Sequence, residues 1–234
     1  MSTLAKIIVS TLLSLSLFSC NFDFNINSGV KGNGNVITEE RTVSESFNTI
    51  KASEGLAVIV TQSNTETITV EADENLMDLI LTEIEDGVLK IHTRENIGTS
   101  KSKKIMVNVK ALSRITSTSG SSISSTNTIS SNQISLKSTS GSRLKIDINA
   151  TEVNCKSTSG SSMSLSGKTD RVIAEATSGS RIKAEDLIAE SGEVKATSGA
   201  SASVNTSEKL IAKANSGASI KYYGDPEFVE KNDA

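Results

Sequence analysis

A six-residue motif returns six times in the second half of the chain: STSGSS from Ser117, STSGSR from Ser138, STSGSS from Ser157, ATSGSR from Ala176, ATSGAS from Ala196 and ANSGAS from Ala214. Its glycines are Gly120, Gly141, Gly160, Gly179, Gly199 and Gly217, with gaps of 21, 19, 19, 20 and 18 residues. A flexible linker has no reason to keep a period. A fixed period near 19 marks a solenoid, in which each repeat buries its face only against its neighbours.

Aligning the copies on the glycine separates two classes of position. Five residues before it stand Ile115, Leu136, Cys155, Ala174, Val194 and Ala212; three before stand Ser117, Ser138, Ser157, Ala176, Ala196 and Ala214. Three after stand Ile123, Leu144, Met163, Ile182, Ala202 and Ile220. These columns are apolar or small. The even offsets are polar: Thr116, Lys137, Lys156, Glu175, Lys195 and Lys213 four before, and Ser122, Arg143, Ser162, Arg181, Ser201 and Ser219 two after. Alternation with period two is the signature of a strand, whereas a helix needs 3.6.

The expected fold is therefore all-β, with coils of about 19 residues whose strands stack in parallel about 4.8 Å apart. Parallel crossovers are overwhelmingly right-handed, which favours a right-handed parallel β-helix over the left-handed hexapeptide helix, whose six-residue apolar beat is not visible. The glycine supplies a positive φ for a sharp corner. The serine just before it is expected to point inward and satisfy its hydroxyl locally. Gly55 has Ala52 three before and Val58 three after, so KASEGLAVIV fits the same columns. Between Gly55 and Gly120 the chain makes a 65-residue excursion with strand patterns at ETITVEA, GVLKIHT and KKIMVNV and a helical turn at ENLMDLI. It is expected to cover one end of the solenoid, where unpaired strand edges would otherwise be exposed.

Aromatic residues make up only 3% of the 234, with no Trp and a single Pro. A compact sandwich or an α/β enzyme would spend more large side chains on its core. A net charge of −3 provides no footprint for nucleic acid.

The N-terminus reads as a leader. Lys6 precedes an apolar run from Ile7 to Phe18, too short to span a bilayer and suited to a signal h-region. It ends in Leu17-Phe18-Ser19-Cys20, which resembles the lipobox of bacterial lipoproteins, where the cysteine is acylated; an ordinary secretory signal is the alternative. The organisation expected is a signal peptide at 1–19, a lipidated linker at 20–35, the β-helix at 36–222 and a tail at 223–234. With Cys20 acylated, Cys155 has no disulfide partner. The implied partner is a membrane, through the lipid anchor, and the implied localisation is the cell envelope, at the outer membrane.

Several stretches carry a more specific resemblance. GNGNVITEERTVSESFNTI, GLAVIVTQ, ITVEADENLMDLI, GVLKI and VNVKALSRITSTSGSSI are similar to the family described as "putative autotransporter adhesin, head GIN domain", over roughly 36 to 220. The resemblance implies a right-handed β-helix in a secreted or lipid-anchored protein with an adhesive role, and it brings no catalytic residues.

The residues themselves point the same way. His92 is the only histidine, and no cysteine pair or carboxylate triplet has metal-ligand spacing. No metal, cofactor or catalytic residue is expected. The G-x-S-x-G elbow requires a strand, a sharp turn and a helix, which this repeat does not supply. Cys155 falls in an inward column and reads as an inert core thiol. A β-helix enzyme cleaving acidic polysaccharide is the rival reading; such lyases gather aspartates around calcium, but Asp147, Asp170 and Asp186 do not share an offset from the motif glycine. One constellation suggests a ligand. Arg143 with Lys145, and Arg181 with Lys183, occupy the same outward offsets two coils apart, and the Lys137, Lys156, Lys195, Lys213 ladder runs nearby. Such a basic stripe would take an anionic glycan, another surface ligand or a lipid headgroup; solvation of a flat sheet is the plainer alternative.

Overall fold

The structure, a computed structural model, describes residues 29–233; the leader and Cys20 lie outside the described residues. Sixteen strands form one continuous sheet wound into a parallel β-solenoid. Its body is built from β8 (Arg114–Ser117), β9 (Ser122–Ser125), β10 (Ile129–Ser138), β11 (Arg143–Ser157), β12 (Ser162–Ala176), β13 (Arg181–Ala196) and β14 (Ser201–Ala214). Each long strand runs from one motif to the next and pairs in parallel with the equivalent strand of the following coil. The register follows the glycine alignment: Leu136 faces Cys155, Cys155 faces Ala174, and Ala174 faces Val194. The column three after the glycine stacks likewise, Leu144 on Met163 and Met163 on Ile182. All these residues are buried. Every coil thus adds one layer to a single apolar column, and each large side chain removed from water contributes about 1.5–3 kcal/mol.

The corner has two positive-φ residues, not one. Ser119 has φ 51° and Gly120 φ 74°, and Ser121 N–H donates to Thr118 carbonyl oxygen at 3.0 Å. That is the pattern of a type I′ turn, whose twist suits a tight reversal between strands. Two left-handed residues in succession interrupt the period-two alternation, which corrects the expectation for the serine before the glycine. Ser119, Ser140, Ser159, Ser178, Ser198 and Ser216 point out to solvent with φ between 51° and 55°. The buried hydroxyls belong instead to residues three before and one after. Ser138 Oγ lies 2.9 Å from Ser142 Oγ, and Ser142 Oγ donates to Ser117 carbonyl oxygen of the preceding coil at 2.7 Å. The next coil repeats this with Ser157, Ser161 and Ser138. The corners at Gly120, Gly141, Gly160 and Gly179 are therefore each stapled to the one before, whereas Ala200 and Ala218 stand in place of the serine donor at the last two. Outside, Gly141 N–H donates to Ser159 carbonyl oxygen of the following coil and Gly160 N–H to that of Ser178, each at 3.1 Å.

The first half follows the same scheme. β2 (Thr49–Ala52) and β3 (Ala57–Gln62) flank the Gly55 corner and stack on β8 and β9, Ala52 on Ser117 and Val58 on Ile123. From the excursion, β6 (Val88–Thr93) and β7 (Lys103–Val109) lie over β2 and β3 in parallel and add a further layer. β5 (Ile80–Glu85) then pairs antiparallel to β6, β4 (Thr67–Asp73) to β7, and β1 (Val36–Arg41) to β4. The helical turn is a 3-10 helix, Glu74–Leu79, which buries Leu76 and Met77. So the excursion covers this end, and charged residues on the outermost strands, Glu39 and Glu40 on β1, Glu83 and Glu85 on β5, blunt its edges. The buried carboxylate of Asp73 fastens the entry of the chain: it accepts from Gly34 N–H at 2.9 Å, Lys101 N–H at 3.0 Å and Ser102 N–H at 2.9 Å. These bonds, that from Ser102 above all, hold Asp73 below the usual aspartate range.

At the other end β15 (Ser219–Tyr223) and β16 (Phe228–Asp233) complete the last coil on β14. Residues 228–233, expected as tail, are thus part of the solenoid. Ile220 and Val229 are only partly covered there, and Tyr222, Tyr223 and Phe228 are exposed.

Candidate binding face

After each corner the chain leaves along strands whose outward residues are set by the register. Arg143 lies beside Ser162, which lies beside Arg181, which lies beside Ser201. Two residues on, Lys145, Ser164, Lys183, Ser203 and Lys221 form a second column. The four residues expected to form a stripe, Arg143, Lys145, Arg181 and Lys183, are therefore brought onto one face, and all are exposed. Between them lie coils whose outward residues are half-buried serines. Charged ridges thus alternate with hydroxyl-floored valleys, ridge to ridge spanning two strand spacings, about 9.6 Å.

The ridges end in acid. Asp147 follows Lys145 and Glu185 follows Lys183 at the next outward place, and the floor serines hold both. Ser166 Oγ donates to Asp147 Oδ2 at 2.8 Å, and Ser203 Oγ donates to Glu185. That hydroxyl bond keeps Glu185 below the usual glutamate range. Because these carboxylates are bonded to serines, Arg143, Lys145, Arg181, Lys183 and Lys221 form no ion pair among the described residues. Arg181 is braced from below, its Nε–H donating to Ser201 Oγ at 3.2 Å.

The last valley is a groove of about 330 Å³, at the small end of the range for ligand pockets, about 300–1,000 Å³. Arg181, Lys183 and Glu185 form one wall, Ser201 and Ser203 the floor, and Ser219, Lys221 and Tyr223 the other wall. Lys221 and Tyr223 were missed from sequence because the sixth motif copy, ANSGAS, departs from the others and carries serine in place of arginine at Ser219. A count of the fourth position after each glycine would have found Lys145, Lys183 and Lys221 at 38-residue intervals.

This architecture has solved relatives. An adhesin candidate from Bacteroides fragilis superposes with a TM-score of 0.81 at 20% identity, over 87% of this chain and 95% of that one. A protein described as a putative lipid binding protein from Parabacteroides distasonis gives 0.71 at 22% identity, over 88% and 97%. An adhesin candidate from Parabacteroides merdae gives 0.68 at 19% identity, over 88% and 97%. At these identities the likeness is one of fold. No curated protein matches the sequence. The sequence itself matches, over residues 46–226, the family described as "Putative auto-transporter adhesin, head GIN domain". The chain belongs to this family. A secreted or surface-associated, adhesin-like protein is what that membership supports.

In this head GIN domain the lysine ladder runs on the opposite flank of the corner, separate from the ridges. Lys156 Nζ lies 2.9 Å from Glu175, and Arg171 lies 3.9 Å from Glu152 and 3.5 Å from Glu193. Gln133 and Asn154 donate to Glu152 as well, and these bonds, Asn154 first, hold it below the usual glutamate range. The remaining candidates fall away from the ridges. Cys155 is buried in the apolar column, and burial pushes its thiol up to about 12. His92 is half-exposed on β6 with Nε2 2.9 Å from Glu83. Asp147 and Asp186 are closer in register than their offsets suggest. A bulge between Ser164 and Ser166 sets Asp186 beside Ser166, which pairs with Asp147. Asp170 lies elsewhere. Among the described residues no group of three His, Cys, Asp or Glu could hold a metal ion.

Proposed function

We propose that the protein is a non-catalytic adhesion module of the cell envelope, acylated at Cys20 and held at the outer membrane by its lipid, whose ridged face binds an anionic glycan of a neighbouring surface. The observation that carries this reading is the row of cations without carboxylate partners, repeated every second coil on a rigid stacked sheet. Fixed charges at a regular spacing suit a ligand that is itself a regular polyanion. Family membership supports adhesion in the coarse sense, and the sequence Leu17-Phe18-Ser19-Cys20 supports the anchor. Glu185, lowered by its serine partner, is ionised at neutral pH and serves as a hydrogen-bond acceptor.

Two experiments test the proposal. A panel of anionic and neutral glycans, offered with and without calcium, should give retention of the anionic members and no shortened products. Cleavage would establish the polysaccharide enzyme instead, and no retention of any glycan would remove the glycan ligand. Growth with labelled fatty acid should label the wild type and not Cys20→Ser; equal labelling of the two would remove the anchor.

A further inference from the structure

The valley bounded by Arg181 and Tyr223 differs from the other valleys in having two unlike walls. Resting on the glycan reading above, we propose that it is the subsite for one uronic acid residue of an extended polysaccharide, with the carboxylate held by Arg181, Lys183 and Lys221 and the sugar ring packed on Tyr223.

The argument begins with Arg181. Its Nε–H is committed to Ser201 Oγ, which fixes the guanidinium plane over the valley floor. A guanidinium carries five N–H donors, so four remain on the two terminal nitrogens, and no carboxylate of the described protein occupies them. A planar fork held in place is the geometry that takes a carboxylate by two parallel bonds. Lys183 stands two residues along the same wall, and Lys221 faces it across Ser203 in the register. Three cations therefore converge on one stretch of floor.

Two residues further along, the chemistry changes. Glu185 closes one wall, with Ser203 donating to its carboxylate, and Asn205 bonds its carbonyl oxygen at 3.0 Å. Tyr223 closes the other, 50% exposed. Its neighbour Tyr222 has its ring covered by Lys231 at 5.0 Å, whereas no cation covers Tyr223 among the described residues. An open aromatic face beside hydrogen-bonding groups suits a pyranose, which has an apolar C–H face and a rim of hydroxyls. The groove thus has a cationic end and an acceptor end, and a uronic acid matches both at once. The carboxylate goes to the cations, and ring hydroxyls donate to Glu185. An inorganic anion or a lipid phosphate would satisfy the cations alone and leave Tyr223 and Glu185 without a role, and the flat Arg181 fork suits a planar carboxylate. The valley between Arg143–Lys145–Asp147 and Arg181–Lys183–Glu185 repeats the cations but contains no aromatic, so it would hold the next part of the chain more weakly.

The test uses a feature of the composition. The chain has no Trp and only two Tyr, Tyr222 and Tyr223, both in the last coil, so intrinsic tyrosine emission reports on this groove. Trigalacturonate titrated into the full domain at low salt should change that emission saturably. Its fully methyl-esterified form should not. Arg181→Gln and Tyr223→Ala should each weaken binding about tenfold, equivalent to about 1.4 kcal/mol, with binding by the tyrosine variant followed calorimetrically. Lys137→Gln, on the opposite flank, should change it less than about twofold. Circular dichroism would confirm that the variants are folded. Equal binding of the methyl ester, or equal binding of inorganic sulfate or of phosphatidylglycerol vesicles, would overturn the uronic acid assignment. If glycans bind the domain but neither groove variant weakens them, the subsite is wrong while the adhesion proposal stands. If no anionic glycan binds by any readout, both fall.

Discussion

The two flanks of the corner carry charge in different ways. Before the corner glycine, long side chains follow one another in successive coils: Lys137, Lys156, Glu175, Lys195 and Lys213 in one column, Gln133, Glu152 and Arg171 in another. Carboxylates engage some of these cations, Glu175 pairing with Lys156 and Glu152 and Glu193 with Arg171, while Lys137, Lys195 and Lys213 form no ion pair among the described residues. After the glycine, every second coil is serine. The physical problem is the same on both flanks, since in-register stacking places equivalent side chains about 4.8 Å apart. Two like charges at that distance repel by about 0.9 kcal/mol in water, and by about half that at twice the distance. One flank relieves the repulsion in part, inserting Glu175 between Lys156 and Lys195 but leaving Lys137 beside Lys156 and Lys195 beside Lys213; the other inserts small neutral residues. Only the second sets its cations at a regular two-coil interval with a serine between them. Spacing, more than net charge, distinguishes the binding face.

The sharpest way to break the comparison is to test whether inside and outside are assigned correctly after the corner. Leu144→Asp should place an unpaired charge in the apolar column and cost several kcal/mol, while Lys145→Asp, one residue on, should lie within about 0.5 kcal/mol. Equal melting of the two would refute the alternation on which ridges and valleys rest. Next in size is the staple that joins the flanks. Ser161→Ala removes the hydroxyl that donates to Ser138 carbonyl oxygen and accepts from Thr158 N–H at 3.1 Å. Leaving those buried groups unsatisfied should cost about 1–3 kcal/mol, and a midpoint unchanged in urea would show that the corner is not held from inside. Gly160→Val is expected to cost about 1–2 kcal/mol from backbone strain, since φ is +69° and nothing lies within 4 Å of an added Cβ. Ser159→Asn, by contrast, should raise the midpoint, because asparagine tolerates this turn position better than serine. The smallest effect separates the flanks directly. Glu175→Gln removes the partner of Lys156 and should lower stability by about 0.2–0.5 kcal/mol at low salt and by less at high salt. Lys183→Gln breaks no pair and should not destabilise at either; a matching loss there would mean that its charge is structurally engaged.

Most of the solenoid was legible because stacked coils repeat one constraint many times. Six glycines at a near-constant period fixed the columns, and Ala52 and Val58 extended them to the first half. The corner serines were misassigned for a local reason: alternation assumes extended backbone throughout, and two positive-φ residues break it. The topology of the excursion was not legible, because antiparallel pairing of β1, β4 and β5 depends on contacts distant in sequence with no repeat to mark them. For the site, matching offsets found Arg143, Lys145, Arg181 and Lys183. They could not find the Asp186 register, which a bulge shifts, nor the role of Ser201 and Ser203, whose importance lies in being small where their neighbours are large.

The alternation of ridge and valley also sets how such a protein could change length. Along the axis the structural unit is one coil, but the chemical unit is two, as the 38-residue interval from Lys145 to Lys183 and again to Lys221 shows. A duplication of one coil would keep the core columns stacked and yet throw the outer face out of phase, setting ridge against ridge or serine against serine. A duplication of two would lengthen the face by a complete ridge and valley. Growth of the scaffold is permitted in single steps, whereas growth of the surface it displays is permitted only in pairs.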